Sequence, residues 1–298
     1  VTGVQTCALP ISLRTLSERA GREIELTTRI ERCRQDRPGC EPPREDEDKD
    51  DAGGDGKKKH AKLRVGEEIT RLIAYSDNDA YNRLHDIVGH RELNEEMAKL
   101  GFRSVRFHHK MNAPAERSRD TPRVVLLPPG KKAIVMPRRE SDLEPAATPV
   151  GGLLVGKAHR DRKGLVEEPL NFASKNYVSL RDLHRVNLSL LRPELPGAVD
   201  LGLAPEQREH IVRAMTHAIG KSKRSADHAP LSPGVLEVLP AKQIRYVGKS
   251  GRAYGFQLEN AYIEDTQTKR AFFVTATVYS NPNGILNDDD YGDRKSVV

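Results

Sequence analysis

The sequence has no tryptophan, and aromatic residues make up only 5% of its 298 positions. It contains no apolar run near the roughly 20 residues that a membrane-spanning helix needs. Its 49 Lys and Arg stand against 43 Asp and Glu, a formal net charge of +6, with the two signs interspersed. A nucleic-acid binder reads as a basic stripe with aromatic stacking platforms, and both are lacking here. Cysteine is scarce too, with three in all, and no C-x-x-C or His spacing supports a zinc site. What is present is charge. With 31% of residues charged and a mean hydropathy of −0.64, this is a polar chain, long enough for a sizeable core as one large domain or two small ones.

Both ends look foreign to the rest. "VTGVQTCALPIS" (Val1 to Ser12) and "DRKSVV" (Asp293 to Val298) resemble translated sequencing adapters, so both are set aside as tails. Residues 13–292 are then read as one partial catalytic domain, cut at both ends. Outside the first tail two cysteines remain, Cys33 and Cys40, bracketing a Pro-Gly loop that a disulfide could close; two free thiols are the alternative. The acid block and lysine block from Glu41 to His60 bury nothing and predict a solvated, mobile insertion over about 41–62.

Period 3.6 dominates the segments on either side of that insertion. Leu13 to Leu26 reads as the end of a helix, stopping near Gly21. Ile69, Leu72 and Ile73 share one helical face; Leu84, Ile87 and Val88 share another; Leu93, Met97 and Leu100 a third, closed by Gly101. Residues from about 106 to 168 form a Pro- and Gly-rich excursion with short apolar runs. Two further helices are predicted, one capped by Ser179 and stopped by Pro193, the other opening at Pro205 and ending at Gly220. The chain then switches to period 2 in "QIRYVGKSG", "YGFQLENAYIED" and "RAFFVTATVYSN", an antiparallel meander with its turn at "EDTQTKR". Helices followed by an antiparallel sheet predict an α+β fold.

Two tripeptides stand out. Ser76-Asp77-Asn78 lies between two helices, and Lys249-Ser250-Gly251 closes the meander's first strand. Taken singly, Ser76 and Asn78 could cap the second helix, and Lys249 to Gly251 could form an ordinary turn. Together, in this order and setting, they resemble the S-D-N and K-T-G motifs of class A β-lactamases and penicillin-binding proteins. The resemblance covers roughly Leu13 to Gly292 and implies a β-lactamase/transpeptidase-like fold, an antiparallel sheet flanked by helices.

It also implies roles. Ser76 would relay a proton to the leaving nitrogen, and Asn78 would hold a substrate amide and the nucleophile-side lysine. Asp77 would point away and fix the turn. Lys249 would supply a positive field, Ser250 would bond a substrate carboxylate, and Gly251 would let substrate approach the strand. The backbone N–H of Arg252 would be one oxyanion donor. "EEPLN" matches the family's E-x-x-L-N, making Glu167 the candidate base for the deacylating water and Asn171 its companion, with a solvated surface glutamate as the alternative. No metal or organic cofactor is implied; His108-His109 and Asn287 to Asp290 read as surface. The substrate would be a β-lactam, a related amide or a peptidoglycan peptide, in a periplasmic or secreted setting. The oligomeric state is open.

One motif is absent. No serine in the sequence has a lysine three residues later, and Thr266 with Lys269, which has that spacing, lies in the meander's turn. The family's nucleophile would open the helix ending near Gly21, which places it at or before the first tail. The expectation is a fragment whose nucleophile, first strands and flanking helices are lost, which is inactive, and whose sheet exposes an edge.

Overall fold

A computed structural model describes residues 3–32, 63–113, 115–147, 150–161, 163–220 and 228–291. Cys33, Cys40 and the charged insertion over about 41–62 lie outside these residues.

The first helix is α1 (Gly3–Ala20). Residues 3–12, set aside above as a tail, form its first half. Val4, Cys7, Ala8 and Ile11 are buried together with Leu13 and Leu16. Gln5, Thr6, Ser12 and Thr15 are buried with them, so this part of the helix is enclosed on every side, and α1 packs against α2 (Val65–Tyr75), α3 (Asn78–Val88), α4 (His90–Lys99) and α6 (Leu180–Leu191). Pro10 lies inside α1, so the proline that argues for a break here is tolerated. The helix stops where expected: Gly21 adopts φ 60°, and Arg22 N–H donates to Ser17 O at 3.1 Å, a left-handed cap that glycine takes without strain.

The three predicted helical faces become α2, α3 and α4, with Ile69, Leu72, Ile73, Leu84, Ile87, Val88, Leu93 and Met97 all in one core. A small antiparallel sheet borders them, ordered β2 (Leu63–Arg64), β1 (Arg29–Arg32), β4 (Val124–Leu127), β5 (Ile134–Met136). The excursion is stranded but fragmentary. It holds α5 (Ala115–Arg119), β3 (Asp120–Thr121) paired with β6 (Arg139–Glu140), and β7 (Leu154–Val155) paired with β10 (Leu170–Asn171). Between the latter two lie β8 (Ala158–Asp161) and β9 (Gly164–Val166).

Ser179 caps α6 as predicted, its hydroxyl accepting from Asp182 N–H. The helix α7 (Pro205–Met215) opens at its proline but ends before Gly220, because Thr216 turns extended to start β11 (Thr216–His217). After α8 (Ser232–Val238) comes the meander: β12 (Ile244–Gly248), β13 (Gly251–Ala253), β14 (Phe256–Asp265), β15 (Ala271–Tyr279), then β16 (Ile285–Leu286) beside β8. Tyr254 and Gly255, at φ 55° and 79°, make the two-residue turn between β13 and β14, the mirror-image type that suits right-twisted strands.

β14 is the axis of this sheet. On one side it pairs with β12 along its second half and β13 along its first; on the other it pairs with β15. Alternation along the strands gives each face its own core. Val247, Leu258, Tyr262 and Phe273 face α1 and α6, while Tyr246, Ala261 and Ile263 pack under Ile219 and Ala229. Among the described residues β15 has no second neighbour, and Phe272 and Val278 on it are exposed.

Candidate active site

The corner between α2 and α3 presents the S-D-N residues. Ser76 ends α2 in the left-handed region, φ 54° and ψ 36°, with its N–H on Arg71 O; Asp77 N–H reaches the same carbonyl at 3.2 Å. Asp77 is the true cap of α3, its carboxylate accepting from Asp79 N–H at 2.8 Å and Ala80 N–H at 3.0 Å. Buried Glu68 on α2 braces the corner, accepting from Arg83 Nε of α3 at 2.5 Å, and Arg83 in turn lies 4.0 Å from Asp77 Oδ2. Asp77 thus fixes the turn, and the Ser76 hydroxyl has no capping duty.

The other wall is the break between β12 and β13. Lys249 keeps the ladder there, its N–H donating to Asn260 O at 3.0 Å. It shares a strand face with Val247, so its side chain runs toward the helices. Lys249 Nζ donates to Ser76 Oγ and, at 3.0 Å, to Ser250 O. Two residues 173 positions apart are thereby joined into one pair. Lys249 is only 5% exposed. Burial pulls its ammonium down to about 8 from the usual lysine value, and the nearby Glu259 carboxylate opposes that fall. Ser76 and Ser250 are half-buried, Asn78 and the Arg252 side chain exposed.

Three contributors are not legible in the sequence as site residues. Gln5, in the first turn of α1, donates through Nε2 to Asn78 Oδ1 at 3.2 Å. It stands where the resemblance requires the nucleophile-side lysine. Glu259 on β14 is 4% exposed; burial raises its carboxyl to about 7, against the pull of the Asn260 N–H and of Lys249. His217 Nε2 donates to Gly248 O at 3.0 Å, and the ring stacks on His228 with ring centroids 6.3 Å apart; burial lowers its pKa. An acidic residue on a strand position that alternation assigns to a face is the only signal that marks Glu259 in the sequence.

Glu167 lies just past β9 and is exposed. No hydrogen bond or ion pair among the described residues joins it to Ser76, Asn78 or Lys249. Asn171, in β10, closes its own turn by accepting from Ala173 N–H at 2.9 Å. His108 and His109 are half-buried rather than on the surface: both backbone N–H groups donate to Asn176 Oδ1, at 2.7 and 3.0 Å. Among the described residues no group of three or more His, Cys, Asp or Glu is placed to hold a metal ion. No helix there is long and apolar enough to cross a membrane. A cavity of about 400 Å³ lies between the excursion and β13–β14, lined by Gly3, Phe172, Lys175, Tyr254, Phe256 and Leu258 among others, but by neither Ser76 nor Lys249.

No curated protein matches the sequence. Among solved structures, PBP-A captured as an acyl-enzyme with penicillin G is 17% identical, over 95% of this chain and 74% of that one, with a TM-score of 0.49. A β-lactamase from Streptosporangium roseum is 11% identical, over 96% and 78%, at 0.49. A β-lactamase from Sphaerobacter thermophilus is 16% identical, over 92% and 73%, at 0.44. The sequence itself carries more weight, because the profile of the beta-lactamase enzyme family matches residues 9–293, from within α1 to beyond the last strand. Helix corner, strand break and profile converge, and this chain belongs to the beta-lactamase enzyme family.

Proposed function

We propose that this chain carries the proton-relay and substrate-gripping wall of a class A β-lactamase-type serine hydrolase. The parent enzyme would open a β-lactam or related amide through an acyl-enzyme. The observation that carries the reading is the buried Lys249 held on Ser76 across the cleft. An ammonium on a hydroxyl lets that hydroxyl pass a proton onward to a departing nitrogen. Lys249 also gives the cleft a positive field for a substrate carboxylate, which the Ser250 hydroxyl would bond. Gly251 leaves room for substrate along the strand, and Arg252 N–H is the backbone donor for a developing oxyanion. Glu167 is the candidate water base, and a periplasmic or secreted setting suits a cell-wall-directed amide.

Acylation by the family's route needs S-x-x-K, and the sequence has none. Gln5 meets Asn78 in the place of the nucleophile-side lysine, which favours a second reading, a non-catalytic relative that binds a β-lactam or a cell-wall peptide in the same cleft. A D,D-peptidase or esterase parent fits the same wall. Titration calorimetry with penicillin G, paired with a nitrocefin turnover assay, tests both. Binding that Lys249→Met weakens at least tenfold, without turnover, is expected. Multiple turnovers would overturn the inactivity, and no binding would overturn the site.

A further inference from the structure

We infer that Ser76 is itself a nucleophile, with Lys249 as its base, able to take one acyl group from an activated ester or amide. This rests on the reading of the cleft as an acyl-substrate site, but it assigns the attack to a residue which that reading uses only as a relay.

The geometry makes the case. A serine at a helix junction ordinarily caps the next helix with its hydroxyl. Here Asp77 does that for α3, so Ser76 Oγ has Lys249 Nζ as its partner instead. Ser76 is also held at φ 54°, a region that strains a non-glycine residue and that persists where surrounding structure enforces it. Both N–H groups of the corner converge on Arg71 O, and the Glu68–Arg83 bridge pins the two helices behind it. The result is a sharp, rigid turn with a half-buried hydroxyl at its tip and a buried amine behind it. Serine–lysine pairs of this kind are an established alternative to the serine–histidine arrangement.

The chemistry balances without a further reactant. Oγ bonds to the carbonyl carbon and its proton passes to neutral Lys249 Nζ. The tetrahedral species collapses, the C–O or C–N bond to the leaving group breaks, and the leaving group takes the proton from Nζ. Gln5 holds Asn78 Oδ1, and Asn78 Nδ2 is the donor that the amide keeps for a developing oxyanion. Among the described residues no hydrogen bond or ion pair joins Glu167 to this pair, so an ester on Ser76 is held apart from the water base proposed for the family's route and the adduct should be stoichiometric and long-lived.

The charged and titratable groups that act on Lys249 lie across the sheet, on the opposite face: Glu259 from β14 and His217 from β11. With Lys249 at about 8, roughly a tenth of it is neutral at pH 7 and about nine-tenths at pH 9. Labelling should therefore quicken about tenfold across that interval. Glu259→Gln removes the carboxylate that favours the ammonium, and the midpoint of the profile should move down.

The test is intact mass spectrometry of the full chain after p-nitrophenyl acetate or a fluorophosphonate, with tryptic mapping of peptide Leu72–Arg83. One equivalent on Ser76, lost in Ser76→Ala and in Lys249→Arg, with the pH rise above, is expected. Lys249→Arg keeps the charge but offers no lone pair, and its circular dichroism and melting curve report whether it is folded. Labelling elsewhere, labelling that survives Ser76→Ala, or a folded Lys249→Arg that labels at the native rate would overturn the inference. A chain that binds penicillin G but takes no label overturns the inference alone, while one that does neither overturns the site as well.

Discussion

Replacing Ile11 with alanine tests whether the N-terminal segment is part of the fold. Ile11 has no solvent exposure and sits mid-way along α1, the helix that α2, α3, α4 and α6 surround. Truncating an enclosed isoleucine removes its transfer energy and leaves a cavity that rigid neighbours fill poorly, about 2–5 kcal/mol in well-packed cores. Alanine's better helix propensity returns a few tenths of that. A net loss of about 3 kcal/mol is expected, a large part of the roughly 5–15 kcal/mol that holds a typical domain together. Urea unfolding followed by circular dichroism reads it. With a slope of about 3 kcal/mol per molar for a chain of this size, the midpoint should fall by about 1 M. A change under about 0.5 kcal/mol, as exposed positions show, would mean that residues 3–12 lie outside the fold after all.

Two other perturbations probe the cleft. Glu259 titrates at about 7 in the fold, above its ordinary value, so the folded chain holds that proton more tightly, and its contribution is lost as pH rises from about 4.5 through 7. Lys249, lowered to about 8, behaves oppositely: its contribution is present above about 10.5 and is lost as pH falls through 8. Melting temperature against pH should dip between about 7 and 8, each limb being on the order of 3 kcal/mol; an acid limb unchanged in Glu259→Gln would refute the assignment. Asp77→Ala deletes the cap on two N–H groups of α3 and should cost about 1 kcal/mol while Asp77→Asn costs less, a ranking that chemical denaturation resolves.

Much of this architecture comes from local pattern. The faces of α2, α3 and α4, the Ser179 cap, the Pro205 start and the meander are consequences of periodicity and turn chemistry, which act over a few residues. α1 escapes such a reading because polar Gln5, Thr6, Ser12 and Thr15 are interspersed among its apolar residues and Pro10 interrupts them, so no periodic stripe marks it; only its neighbours reveal that it is central. The end of α7 departs from local pattern for a similar reason, since pairing of Thr216 and His217 with Val247 and Tyr246 overrides helical propensity ahead of Gly220.

The site divides the same way. Residue types and order mark Ser76, Asn78, Lys249 and Ser250, because a relay hydroxyl, an amide, a cation and a carboxylate-binding hydroxyl are chemical requirements written in composition. Tertiary structure alone decides that Lys249 Nζ meets Ser76 Oγ, that Gln5 meets Asn78, that Glu259 is desolvated beside Lys249, and that Glu167 stands apart. Those outcomes depend on which segments the core brings together and on how much water remains there, and desolvation and distance are properties of the packed chain that no stretch of its sequence possesses by itself.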